Sequence, residues 1–304
     1  MTAPDWLWIP ITLWAAFAQT LRNAAQRHLT ADLGTLGATL VRFLYGLPFA
    51  VLWLWLVAQV GDYAVPSASG RFAFWVTLGA VSQIAATAFL LATMQQRNFA
   101  LGVAYSKTEI IQVAVFGFVF IGDPVTAAAA IAILLGTLGV LLLSPADKAR
   151  PLASLAAGWT SRAAVFGLAS GTGFALSAVG YRGAALALGD APFAMAAAST
   201  LVVAQAIQTV LLGGWLVWRN RDVVLRVFAA WRPSLFAGFM GAAASAGWFT
   251  AFTLETAAQV RTLGLIELVF SMVVARRFFR EKLTRLELGG VALLAAGIVL
   301  VTLR

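Results

Sequence analysis

Apolar positions in this chain do not alternate with polar ones; they run on. Unbroken apolar stretches fall at about 5–23, 35–60, 72–95, 101–121 and 125–143, and again at about 163–186, 191–217, 233–254, 259–279 and 286–303. Bilayer hydrocarbon is about 30 Å thick and a helix rises about 1.5 Å per residue, so roughly 20 apolar residues span it. Continuous runs of that length predict helices, because barrel strands would show short alternating pieces. The pattern predicts an all-α integral membrane protein with ten transmembrane helices. A polar break, SPADKARPLAS from Ser144 to Ser154, divides five runs from five. The predicted organisation is a first five-helix repeat over 1–143, a polar linker over 144–162 and a second five-helix repeat over 163–304.

Composition agrees with the pattern. The chain is 61% hydrophobic and 11% charged, with a mean hydropathy of +0.89. Soluble domains are about 45–50% apolar and roughly 25% charged. A chain of 304 residues this apolar needs lipid to cover much of its surface. It has no cysteine and a single histidine, His28, which excludes disulfides, thiolate metal sites and a histidine cluster. No GxxxxGK[ST] phosphate loop occurs, so the chain is not expected to hydrolyse ATP. The start, MTAPDWLWIPITLW, runs into the first apolar stretch without a basic region, so no cleavable signal peptide is expected.

The net charge of +9 sits mostly between apolar runs, which predicts contact with anionic lipid and not with nucleic acid. Connections after the odd-numbered runs hold most of the 21 Lys and Arg residues, among them Arg22, Arg97, Lys148, Arg219, Arg226, Arg276 and Lys282. The other side is assigned Arg71, Arg182, Arg261 and Arg304. The positive-inside rule then predicts odd connections in the cytoplasm and both termini outside it, in a bacterial inner membrane.

Some polar residues fall inside the runs. In AYSKTEIIQVAVFGFVF (104–120), Lys107 and Glu109 lie near the middle. Each charge at a helix centre costs about 2.5–3.5 kcal/mol and needs a reason. Two residues apart on a regular helix is roughly 200° of rotation, so each must face a different neighbour. Arg42, in LVRFLYGLPF, either snorkels or faces a cavity, and Pro48 after it predicts a bend. Gln83, Tyr105, Tyr181, Ser245 and Trp248 are candidates to shape a pocket that combines aromatic faces with a few polar groups; for any one of them ordinary packing is the commoner reading. Small residues on the sixth run (Gly167, Ser170, Gly171, Ser177) and the eighth (Gly238, Gly241, Ala242, Ser245) predict close helix contacts.

Setting Glu109 against Glu267 aligns TEIIQVAVFGFVFIGDPVT with GLIELVFSMVVARRFFREKLT. Both halves then show a buried glutamate, an apolar run, an acidic turn (Asp123 or Glu281), a threonine (Thr126 or Thr284) and a final glycine-containing helix. An odd number of helices per repeat inverts the second copy, a transporter arrangement with the substrate site between the halves. The same inversion makes Glu267 the expected partner of Lys107. Together they either engage a zwitterionic substrate or lock two helices.

The motifs GLIELVFS and FREKLT, with Glu109 and IGDPVT as their first-half echo, resemble the drug/metabolite transporter superfamily, EamA type, over nearly the whole chain. Ile110 and Leu268 stand where the common family motif has proline. The resemblance implies a bundle around a central cavity, with the fifth and tenth helices outside its walls. It also implies secondary export of small metabolites. The chain is most similar there to bacterial aromatic amino-acid exporters of the YddG type. The expectation is a monomeric carrier for amino acids, aromatic ones included, that contacts only substrate and lipid. It uses no cofactor, and its cycle is either proton-coupled through Glu109 or Glu267 or uncoupled. Substrate-binding candidates are Lys107, Glu109, Glu267, Arg42, Tyr105, Gln83, Trp248, Tyr181 and Ser245. The alternatives are an exchanger of phosphorylated metabolites or nucleotide sugars, with Arg42 and Lys107 on the phosphate, a channel, or an intramembrane enzyme. The last would need a nucleophile with a base, clustered aspartates or metal ligands, which the sequence does not offer.

Overall fold

The computed structural model describes residues 3–94, 106–143, 162–270 and 285–302. Among them every regular element is helical: α1 Trp8–Leu44, α2 Leu47–Gly61, α3 Gly70–Met94, α4 Glu109–Phe116, continued as a π-turn over Gly117–Ile121, and α5 Ala127–Leu143. The second half gives α6 Arg162–Leu186, α7 Phe193–Arg219, α8 Arg221–Ala229, α9 Trp231–Leu254, α10 Ala257–Leu263 and α11 Arg285–Thr302. Helix is described in each of the ten apolar runs, the ninth as far as residue 270. Five helical stretches among the described residues are long and apolar enough to cross a bilayer, Trp8–Gly61 counted as one; three shorter apolar helices accompany them.

α1 is a hairpin. Gly34 interrupts it with φ 70° and ψ 175°, a region that only glycine enters without strain. The Gln26 side-chain amide donates to the Ala38 carbonyl at 2.8 Å, whereas twelve residues of straight helix would hold them about 18 Å apart. The chain therefore turns back at Gly34. The sequence places a connection from the end of its first run at 23. Instead the helix continues to Gly34, and Arg22, assigned to that connection, is a buried residue of the first arm. The bend expected from Pro48 is present: Pro48 opens α2, and the break falls just ahead of it at Tyr45 and Gly46, where proline disfavours a continuing helix.

The chain forms two compact units, each drawing on both sequence halves. The first comprises Met1–Ile84 and Ser177–Thr256. There the α1 hairpin packs chiefly on α9, while α7 packs against α9, α2 and α1. Its centre is built from small side chains, among them Ala15, Ala16, Ala38, Ala237 and Ala244, all fully buried. The outward face carries Trp55, Val60, Phe74 and Trp218. Small residues inside and large apolar ones outside suit a protein whose surroundings are lipid.

The second unit comprises Ala85–Leu176 and Ala257–Arg304. Its main helix pair is α5 on α11. A Cβ at Gly139 would lie 2.8 Å from the Gly290 carbonyl oxygen, and one at Gly297 would lie 2.9 Å from that of Ala132. Glycine at these contacts lets the two backbones touch. α4 packs against α10, and this contact carries Glu109 and Arg261.

Candidate functional site

In the second unit the polar cluster begins where α4 begins. Residues 107 and 108 form a turn between helical Ser106 and Glu109, where α4 starts. Lys107 is paired with Glu267, and Glu109 with Arg261. Lys107 and Glu109 thus do not face each other, and Lys107 meets the glutamate that the alignment of the halves assigned to it. Side-chain exposures of 14% and 9% for the first pair and 11% and 5% for the second mean that all four charges are largely withdrawn from solvent. The quartet sums to zero charge. Glu109 also lies in the first turn of α4, where the helix dipole favours a carboxylate.

The turn is held from the side by α6. A Cβ at Gly171 would lie 2.8 Å from the Ser106 carbonyl oxygen, so glycine alone lets α6 approach this closely. The Thr172 hydroxyl donates to Gln112 Oε1 at 2.7 Å, and the Gln112 amide donates to Thr108 Oγ1 at 3.1 Å. These bonds fix the start of α4 and so aim Lys107 and Glu109.

Arg261 is a residue the sequence reading misplaced. It was assigned to an external connection, yet it lies within α10 as the partner of Glu109. Arg182 was misplaced in the same way: it donates to the backbone carbonyls of Phe252 and Glu255, closing the C-terminal end of α9. Long side chains partly buried by tertiary contact leave no local signal, because both stand near the ends of apolar runs.

The first unit holds the other candidates. Tyr181 on α6 donates to Gln83 Oε1 on α3 at 3.0 Å. From α7, the Gln208 amide donates to Tyr181 Oη at 2.9 Å and to Gln83 Oε1 at 2.8 Å. The Tyr181 ring lies 4.1 Å from that of Phe249. Arg42, fully buried, is close enough to Tyr181 to act on it electrostatically. Trp248 donates through Nε1 to Gln19 at 3.0 Å, and Ser245 is buried one turn before it on α9. Gln19 and Gln208 are members of this site that the sequence reading passed over. Their signal was an amide set within an otherwise apolar run.

The structure thus gathers Lys107 with Glu267 and Glu109 with Arg261 in one unit. In the other it gathers Gln83 and Tyr181 with Gln208, and places Arg42, Ser245 and Trp248 in the same core. Tyr105 lies outside the described residues. No group of three His, Asp or Glu side chains comes together among the described residues.

Residues 161–303 match the EamA-like transporter family. No curated protein matches the chain in sequence. A solved structure, described only as "Crystal structure of protein", shares the fold with a TM-score of 0.70 over 96% of this chain and 95% of that one, at 13% identity. This partial match and the apolar helices together support a multi-pass membrane protein.

Proposed function

We propose that this protein is a secondary transporter that exports small metabolites, amino acids including aromatic ones, by alternating access. In this reading the ten apolar runs cross a bacterial inner membrane as two inverted five-helix halves around a central cavity. The observation that carries it is the paired quartet of Lys107, Glu267, Glu109 and Arg261, buried in a chain whose outer face is apolar. Intramembrane ionisable groups that face inward mark substrate and ion pathways. Exchange of one pair member for a proton or for a charged group of the substrate need leave no net charge buried.

Aromatic selectivity is assigned to the first unit. Tyr181, Phe249 and Trp248 offer ring faces, and Gln83 and Gln208 offer fixed amides. Such a mixture of stacking surface and few polar groups orients a ring-bearing ligand. Glu109 and Glu267 are the groups through which a proton-coupled step would run, and no cofactor is required. The protein works as a carrier and not as an enzyme, with lipid and substrate as its partners.

The test is counterflow in proteoliposomes loaded in turn with amino acids, nucleotide sugars and phosphorylated metabolites. Saturable exchange confined to amino acids, strongest for aromatic ones, is the expected result. Exchange confined to nucleotide sugars or phosphorylated compounds would replace this substrate assignment, and exchange of none would remove the transporter reading.

A further inference from the structure

The α1 hairpin brings two arginines to one place. A Cβ built on Gly241 of α9 would lie 3.3 Å from Arg42 Cγ and 3.5 Å from Arg22 Cδ. In a straight helix these two arginines would be separated by about 30 Å; the reversal at Gly34 makes them neighbours over a residue without a side chain. Each is 2% exposed. The Arg22 guanidinium donates to Asn23 Oδ1 at 2.7 Å, and that of Arg42 lies 5.4 Å from the Phe43 ring centroid. The stems of two buried cationic side chains thus meet at Gly241.

A second feature points to the same place. Gln205 on α7 is 2% exposed, and neither its Nε2 nor its Oε1 has a hydrogen-bond partner. Its amide lies 3.1–3.2 Å from the Cβ position of Gly46, the residue one turn beyond Arg42. Buried amides almost always find partners, and an unmet one is destabilising. Thr209, one turn further along the same face of α7, also has a hydroxyl without a partner.

We infer that Arg22, Arg42 and Gln205 form an oxyanion-binding subsite that takes the carboxylate or phosphate group of the transported molecule. A planar guanidinium presents its donors in a fork that matches an oxyanion, and two forks with one amide satisfy several lone pairs at once. The inference rests on the transporter reading for the ligand's identity, but its geometry belongs to the first unit alone. It adds Arg22 and Gln205 to the site and gives Arg42 a chemical role.

The test uses the full-length protein in detergent, with equilibrium binding of phenylalanine, of phenethylamine, which lacks the carboxylate, and of glucose 6-phosphate. The wild type is expected to bind one of the two anions, and which one it binds names the source of the oxyanion. R22Q and R42Q are expected to weaken that anion by about tenfold or more, the loss of one strong charge-assisted contact. Phenethylamine binding is expected to stay unchanged. Gln205→Met removes the orphan amide without burying a new charge and so keeps the fold. It is expected to weaken the anion several-fold.

Failure of both phenylalanine and glucose 6-phosphate to bind the wild type would overturn the inference. So would equal weakening of anion and amine, or unchanged anion affinity in the folded Gln205→Met and R42Q proteins. Arginine-dependent binding without counterflow in liposomes would leave the subsite standing and remove the transporter reading. Counterflow that ignores all three substitutions would do the reverse.

Discussion

Lys107 and Glu267 form an ion pair in the second unit, one contributed by the turn before α4 and the other by the segment after α10. Breaking a buried pair by removing one partner strands the other charge, at a cost of about 3–5 kcal/mol. Lys107→Met should therefore lower stability by that order, and adding Glu267→Gln should restore most of it. Thermal unfolding in detergent across the double-mutant cycle measures this. If the pair also handles substrate, the restored double variant remains inactive in counterflow; full activity would reduce the pair to a structural lock.

Glu109 and Arg261 should behave as an independent cycle. Glu109→Gln leaves the Arg261 guanidinium facing a neutral amide, and Arg261→Gln leaves the carboxylate uncompensated. Each single change is expected to cost about 3–5 kcal/mol, with the double change costing less than the sum. Additive losses in the melting cycle would contradict the pairing.

The network of Tyr181, Gln83 and Gln208 predicts an order of effects. Tyr181→Phe removes one hydroxyl but leaves Gln208 bonded to Gln83 at 2.8 Å, so it should cost about 1 kcal/mol. Gln208→Leu removes the donor to Tyr181, Gln83 and the Ala80 carbonyl together, and should cost about 2–3 kcal/mol. Unfolding midpoints of the two variants check the order.

Backbone demands should separate three glycines. Gly34→Ala forces a side chain into a left-handed conformation at a cost of about 1–3 kcal/mol. Gly171→Ala meets the Ser106 carbonyl oxygen at 2.8 Å, an overpacking worth about 1–3 kcal/mol. Gly241→Ala meets the flexible stems of Arg42 and Arg22 at 3.3 and 3.5 Å and the Arg42 carbonyl oxygen at an ordinary 3.6 Å, and should be the mildest. Melting temperatures of the three proteins test this ranking.

What the sequence disclosed follows from where the information resides. Apolar run length reports helices directly, so the helical character was legible, and Pro48 marked its bend. The pairing of Lys107 with Glu267 was legible because two charges in apolar runs have few places to go. Arg22, Arg182 and Arg261 were read as connection residues because each stands near the edge of a run, where hydropathy cannot distinguish a buried side chain from a solvated one. The hairpin at Gly34 was read as a longer loop, since Asn23 to Leu33 is polar enough to resemble one while remaining helical. Gln205 and Gln208 acquire meaning only when tertiary packing shows what surrounds them.

Amino-acid transport is the role proposed for the buried ionisable and aromatic groups. It is tested most directly by the initial rate of labelled phenylalanine counterflow into protein-containing liposomes as external concentration rises. A saturating rate that depends on internal unlabelled phenylalanine is expected. A rate that is linear in concentration and equal to that of protein-free liposomes would contradict it.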